Sequence, residues 1–221
     1  SSDIDLSDDQ FPFMSFKNGS VSGIPARIFR ISFSGERTYE INVSSNYGSL
    51  LWDSLMEAGK EFQIEPYGTE TMHVLRAEKG YIIVGQDTDG SVTPLDLGMK
   101  SMISEKKDFI GKRSLTRPEM LKQNRKQLVG LMPIDSDNVL PEGAQLVEQP
   151  STIKPVKMIG HVTSSYFSSV LDRSIALGLV RGGQSLLGKI IYAQLLHGEI
   201  FPVEICSPVF FDPENRRQKT S

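Results

Sequence analysis

Cysteine is all but missing from this sequence of 221 residues: Cys206 stands alone, so no internal disulfide can form. That scarcity fits a reducing compartment and predicts a cytoplasmic location. Long hydrophobic runs are missing as well. Nothing approaches the ~20 consecutive apolar residues that span a bilayer, which argues against a membrane partner. The basic excess of a nucleic-acid binder is also absent, because 24 Lys and Arg stand against 27 Asp and Glu for a net charge of −3. The opening stretch, Ser1-Ser-Asp-Ile-Asp-Leu-Ser-Asp-Asp-Gln10, is acidic and polar and does not read as a secretory signal. The sequons Asn18-Gly-Ser20 and Asn42-Val-Ser44 therefore read as chance matches.

Most catalytic signatures are lacking too. The three histidines, His73, His161 and His197, are widely spread, and no Cys or His pair has metal-ligand spacing. There is no Gly-x-Ser-x-Gly nucleophile elbow. Gly182-Gly-Gln-Ser-Leu-Leu-Gly188 is rich in glycine, but it has neither the phosphate-loop lysine nor dinucleotide spacing, and reads as a turn. Cys206 lies in the apolar run Phe201-Pro-Val-Glu-Ile-Cys206 without a basic neighbour, which predicts a small buried hydrophobe rather than a nucleophile.

What is present is an ordinary globular composition, 38% hydrophobic and 23% charged. At roughly 100–200 residues per domain, the length suits one large domain or two small ones. Residues 1–19 are expected as a flexible lead-in. Ile24-Pro-Ala-Arg-Ile-Phe-Arg-Ile-Ser-Phe33 predicts a strand, and Ser34-Gly-Glu-Arg37 breaks it. Thr38-Tyr-Glu-Ile-Asn-Val43 then alternates with period two and completes a hairpin. Tyr39, Ile41 and Val43 share one face; Glu40 and Asn42 share the other.

Ser44 to Asn46 offer an N-cap to a helix carrying Tyr47, Leu50, Leu51, Leu55 and Ala58, with Gly59 as its stop. A second helix is expected over 68–79, a short strand at Tyr81-Ile-Ile-Val84, a polar loop to Gly90 and a third helix over 111–123, where Pro118 suits only a first turn. After Asn124-Arg-Lys126 the pattern changes. Short apolar runs begin at Leu128, Ala144, Met158, Ile175, Ile190 and Phe201, separated by Gly and Pro turns, and they predict a small antiparallel barrel or sandwich. The division is therefore an α+β unit over 20–125 and an all-β unit over 126–221, with a charged, frayed tail from Asp212. There is no internal repeat.

Two features can carry chemistry. Glu40 projects from its strand away from the apolar side. It is either a solvent-facing strand residue or an acceptor for the planar, amidine-like edge of a ligand, since a carboxylate takes two parallel N–H bonds. Arg76 and Glu78, in Leu75-Arg-Ala-Glu78, are either solvated helix charges or, for Arg76, an anchor for the loop Gln86–Asp89 or for an anionic ligand.

These stretches resemble the folate-binding aminomethyltransferase superfamily, typified by the T-protein of the glycine cleavage system. The likeness runs through Ile31-Ser-Phe-Ser-Gly-Glu-Arg-Thr-Tyr-Glu40, Leu75-Arg-Ala-Glu-Lys-Gly80, Gly85-Gln-Asp-Thr-Asp89, Thr93-Pro94, Asp108-Phe-Ile-Gly-Lys112 and Gly160-His-Val-Thr-Ser-Ser165. Within the superfamily, the stretch from Tyr67 to Gly90, Arg125-Lys-Gln-Leu-Val-Gly130 and Leu140-Pro-Glu-Gly-Ala-Gln-Leu-Val147 are most similar to the C-terminal part of the α subunits of heterotetrameric sarcosine oxidases.

The resemblance implies a fold: a partial ferredoxin-like, folate-binding α+β domain followed by a jelly-roll-like C-terminal β-barrel. It also implies an oxidoreductase acting on CH–NH donors, in which the one-carbon unit of oxidised sarcosine passes to tetrahydrofolate, giving glycine and 5,10-methylenetetrahydrofolate. Without folate the products are formaldehyde and hydrogen peroxide. FAD, FMN and NAD are implied for the holoenzyme but not for this stretch. The implied partners are the other sarcosine oxidase subunits and an N-terminal part of the same subunit. Alternatives are a T-protein-like aminomethyltransferase or demethylase, and a non-catalytic scaffold joining subunits.

By the same resemblance Glu40 grips the pterin ring, with Glu36, Tyr39 and Arg76 as further folate-site candidates. Three departures stand out: Thr38 where glycine is usual, Met72 where the T-protein has arginine, and Lys100-Ser-Met-Ile103 where a tryptophan is common. The family's catalytic aspartate lies upstream of the hairpin and is not matched by Asp3, Asp5, Asp8 or Asp9. The expectation is a fragment that is inactive alone and binds folate weakly.

Overall fold

The computed structural model describes residues 2–218, and the chain forms two units. The division falls between Leu75 and Arg76, and the chain returns to the first unit at Glu214.

The first unit is built on a three-stranded antiparallel sheet: β1 (Ser15–Val21), β2 (Ile24–Arg30) and β3 (Glu40–Asn42), in that order. Alternation on β2 sends Ile24, Ala26, Ile28 and Arg30 to the buried side and Pro25, Arg27 and Phe29 to the open side. Phe11, Val21 and Leu51 join that apolar row, with Tyr39, Ile41 and Val43 packed against it. Leu51 comes from helix α1 (Gly48–Gly59), which a 3-10 turn at Ser45–Tyr47 introduces.

The first strand corrects the expectation of a flexible lead-in. Phe11 is fully buried, Ser2 bridges to Val21, and β1 pairs with β2 along its whole length. Arg37 bonds the Leu6 carbonyl at 2.9 Å, which ties this arm to the hairpin.

Helix α2 (Thr69–Glu78) ends as its sequence requires. Gly80 takes a φ of 67°, and a Cβ there would collide with the Pro208 carbonyl, so only glycine fits. Two expected elements beyond it are absent. Tyr81–Val84 is not a strand, because its amides turn inward: Tyr81 N bonds the Arg76 carbonyl and Ile83 N bonds Asp87. The expected helix over 111–123 is two 3-10 turns, Lys112–Thr116 and Pro118–Leu121. The break is at Arg117, held extended before Pro118 (φ −64°, ψ 140°), as proline demands of its predecessor.

The second unit centres on a closed six-stranded barrel: β4 (Lys126–Pro133), β5 (Gln145–Val147), β6 (Gly160–Ser168), β7 (Arg173–Arg181), β8 (Ile190–Gln194) and β9 (Ile200–Cys206), ordered β4-β7-β6-β5-β8-β9. Each corresponds to one of the six apolar runs. The barrel is filled by Val129, Leu131, Leu146, Val162, Val180 and Val203, among others. Leu128, Leu177 and Leu179 point the other way, into a second cluster with Ile82, Val92, Leu97 and Phe210. Strand β7 is therefore buried on both faces, which is why Ile175–Val180 reads as an unbroken apolar run. No described helix is long and apolar enough to cross a membrane.

Candidate functional site

Period-two geometry sets the hairpin. Glu40 lies opposite Phe29, Ile41 opposite Ile28 and Asn42 opposite Arg27. Ile41 faces the core, so Glu40 and Asn42 stand on the open side of the sheet, exposed. Asn42 Nδ2 donates to Glu40 Oε1 at 2.9 Å; among the described residues the other carboxylate oxygen takes no hydrogen bond.

The same face carries an aromatic pair, Phe16 and Phe29, with ring centroids 5.6 Å apart. The Arg27 guanidinium lies 5.3 Å over the Phe16 ring and bonds Asn18 Oδ1 at 2.9 Å. Asn18, Gly19, Arg27, Phe29, Asn42 and Val43 line an open concavity of about 560 Å³. Phe29, Asn18 and Asn42 bring an aromatic edge and amide groups to this shallow surface, and Asn42 links it to the Glu40 carboxylate, which is not itself part of the lining. Such a set can take a flat heterocycle with adjacent N–H donors.

Tyr39, beside Glu40 in the chain, points the other way. Its ring sits 5.3 Å from the Arg30 guanidinium and 6.0 Å from Phe11. Its hydroxyl accepts from Arg37 Nε at 3.2 Å and donates to the Leu6 carbonyl at 3.4 Å. Glu36 is half-buried and pairs with Arg217, whose Nε lies 2.5 Å from Oε1. Tyr39 and Glu36 therefore support the hairpin from behind.

Arg76 departs most from its expected role at a ligand. It is 0% exposed, so it is the anchor of the following loop and not a group open to a ligand. Nη1 donates to Asp87 Oδ2 at 2.5 Å and to the Tyr81 carbonyl at 3.1 Å; Nη2 donates to Ser164 Oγ at 2.7 Å and Tyr166 Oη at 3.3 Å. Asp87, equally buried, also accepts from Ile83 N at 2.9 Å and from the hydroxyls of Thr163 and Ser164 at 2.5 and 2.6 Å. A bulge between Val162 and Ser164 turns those two neighbours onto the same oxygen. Glu78 is a second buried anchor: Ser168 Oγ donates to its carboxylate at 2.6 Å, and Phe210 and Phe211 donate to its carbonyl.

Other polar groups are structural by geometry. Burial alone would raise the Asp96 carboxyl, but bonds from Arg125 (2.7 Å at Nη2) and from Thr93 outweigh it and hold Asp96 below the ordinary range. Burial first, then Lys126, lowers His161 against the opposing pull of Asp89. The Cys206 thiol is pushed up to about 12, chiefly by burial and then by Glu204. No described group of three His, Cys, Asp or Glu residues is placed to hold a metal ion. The Gly182–Gly188 stretch holds a 3-10 turn at Gly183–Leu186 and no strand–turn–helix, so it offers no seat for the pyrophosphate of FAD or NAD.

A cavity of about 1050 Å³ lies between the 150–156 loop and the 194–198 turn. Its lining includes Lys154 and His197 and none of the folate-site candidates. Arg30, Arg217 and Gln218 went unnoticed in the sequence, whereas Asp87 lies in the 86–89 loop that was named as what Arg76 could anchor. For Arg30 a signal existed, since it continues the buried Ile24, Ala26, Ile28 row.

Comparison with known proteins identifies the family and the fold. Residues 1–107 match the GCVT N-terminal domain, and residues 126–212 match the glycine cleavage T-protein C-terminal barrel domain. The chain is 50% identical over 218 residues to the sarcosine oxidase subunit alpha of Corynebacterium sp. (strain P-1), covering 97% of this chain and 22% of that protein. It is 33% identical over 220 residues to the mitochondrial dimethylglycine dehydrogenase of Homo sapiens, covering 97% of this chain and 24% of that one. The chain thus spans less than a quarter of the length of these relatives. The crystal structure of the glycine cleavage system aminomethyltransferase T from Bartonella henselae shares the fold, with a TM-score of 0.75 at 22% identity over 94% of this chain and 55% of that one.

Proposed function

This chain belongs to the glycine cleavage T-protein family, and on that premise we propose that the open face of its β1–β2–β3 sheet is a tetrahydrofolate-binding surface of a sarcosine-oxidising enzyme. The observation that carries this reading is Glu40, which stands beside the concavity with one carboxylate oxygen uncommitted. The 2-amino-4-oxo edge of a pterin presents adjacent N–H groups, and a carboxylate takes both in parallel, fixing the ring's direction as well as its position. Phe29, opposite Glu40, offers the apolar contact for the ring.

In this reading oxidised sarcosine arrives as its imine. Tetrahydrofolate takes the one-carbon unit through two new C–N bonds, the imine C–N bond breaks, and glycine leaves with 5,10-methylenetetrahydrofolate. Without folate, water takes the same carbon, and formaldehyde and glycine leave; in both cases the two electrons of the oxidation reach oxygen as hydrogen peroxide. FAD, FMN and NAD belong to other parts of the assembly, with the further subunits as partners. The sarcosine oxidase subunit alpha relative extends far beyond the matched region. The match to a dimethylglycine dehydrogenase supports a second reading, in which the one-carbon donor is a different N-methylated glycine.

The test is calorimetric titration of tetrahydrofolate into the chain and its Glu40→Gln variant, repeated in a full-length enzyme. The isolated chain is expected to bind weakly, above micromolar Kd, and to turn nothing over. In the full-length enzyme the substitution should weaken folate binding about 10- to 100-fold, the scale of hydrogen bonds to a charged group, while oxidation of sarcosine continues. Unchanged folate coupling in Glu40→Gln overturns the assignment. Faster turnover of dimethylglycine than of sarcosine favours the second reading.

A further inference from the structure

Arg217 and Gln218 reach the hairpin that leads to Glu40. The Gln218 carbonyl accepts from Arg30 Nη2 at 2.7 Å, and Arg217 Nε donates to Glu36 Oε1 at 2.5 Å. Gln218 is itself buried, at 6% exposure. The expected fraying of the tail is therefore not what Arg217 and Gln218 show, although 213–217 are exposed; residues 219–221 lie outside the described part.

Arg30 explains why this contact matters. It is 1% exposed, so its guanidinium has surrendered its hydration. Three groups compensate: the Gln218 carbonyl, the Asp8 carboxylate at 3.6 Å and the face of Tyr39 at 5.3 Å. Its Nε and Nη1 have no hydrogen-bond acceptor among the described residues. The tail carbonyl is thus the one close acceptor for a buried cation, and without it the cation has no hydrogen bond among those residues. Residues 31–39, between Arg30 and Glu40, form no strand ladder. Their course is fixed by contacts made from below: Tyr39 on Arg30, Arg37 on Asp8 and the Leu6 carbonyl, Glu36 on Arg217.

We propose that residues 214–218 are a strap that orders the 31–39 loop through Arg30 and Glu36, and that Arg30, Arg217 and the Gln218 carbonyl are positioning groups for Glu40. The ordering of the loop stands by itself; the positioning of Glu40 for a ligand rests on the folate reading. The Arg30–Gln218 contact, shielded from water, holds the strap down. The half-exposed Arg217–Glu36 pair contributes less and sets where the tail lies along the loop.

The test combines amide hydrogen exchange with tetrahydrofolate titration. Three forms are compared with the intact chain: one ending at Pro213, the Arg217→Glu variant, and the Glu36→Arg/Arg217→Glu exchange. Ending at Pro213 removes the Gln218 carbonyl, which no side-chain substitution can do. Exchange over 35–39 is expected to rise about tenfold or more, the scale of one hydrogen bond to a charged group, with the barrel ladder unaffected. Arg217→Glu should give a rise of about threefold, and the charge exchange should restore protection. If the shortened chain loses its barrel protection as well, the Arg217→Glu pair of variants decides alone. Unchanged exchange over 35–39 in these variants overturns the strap. Faster exchange with unaltered folate affinity overturns the positioning of Glu40. An intact chain that binds no folate sinks the functional reading and leaves the strap to be judged by exchange.

Discussion

Asp87 and Arg76 meet at 2.5 Å, and neither side chain reaches solvent. The pair ties the end of helix α2 to the 83–89 loop, and through Thr163 and Ser164 to strand β6. A buried pair of this kind stabilises little against a well-packed apolar replacement, but it punishes the loss of one member. Arg76→Met is therefore expected to cost about 3–5 kcal/mol, because it leaves the Asp87 carboxylate without its counter-charge. The double variant Arg76→Met/Asp87→Leu should recover a large share of that loss. Urea unfolding of the three proteins checks both numbers. A single variant within about 1 kcal/mol of the parent contradicts the role given to the pair.

Asp96 gives the acid limb of stability. Its carboxyl is held below the ordinary 3.8 by Arg125 and Thr93 against the effect of burial. A folded-state value below the unfolded one means that the stabilisation is complete above pH 3.8 and fades as the pH falls from there toward the folded value. Asp96→Asn should therefore lower stability at neutral pH and flatten the decline on that limb. Denaturant midpoints measured from neutral pH to below 3 test this, and parallel curves for parent and variant would refute it.

Cys206 should be chemically quiet. With its thiol pushed up to about 12, almost none is thiolate at pH 8. Iodoacetamide should modify the folded protein at least about a hundredfold more slowly than a free cysteine, with the ordinary rate regained in denaturant. Modification of the native protein at the rate of a free thiol would show that the site is open.

The barrel was legible because short apolar alternations between Gly and Pro turns admit few other structures. All six runs became strands, and one of them, Ile175–Val180, showed by its lack of polar interruption that both of its faces are covered. The side on which Glu40 projects was legible for the same reason, since a period of two assigns faces without knowledge of any partner. Strand β1 was not, because Ser15-Phe-Lys-Asn-Gly-Ser-Val21 carries turn-forming residues and gains its structure from pairing with β2. The third helix was over-read: Pro118, which suits only a first turn, holds its predecessor extended and breaks the segment in two.

The burial of Arg76 was beyond reach of local reading. Its partners stand 11, 88 and 90 residues further along the chain, so only the folded unit brings them together. Arg30 differs. Its place in a buried row was visible, but the carbonyl that receives it lies 188 residues away.

The extra residue in β6 has a consequence for how the sequence tolerates change. In a regular ribbon, Thr163 and Ser164 would project to opposite sides, and only one could reach Asp87 Oδ1. Shortening β6 by one position at Thr163 would preserve every barrel-filling side chain yet take away one of the two hydroxyls that grip Asp87. The double grip on Asp87 thus depends on the strand's length as well as on the two hydroxyls themselves.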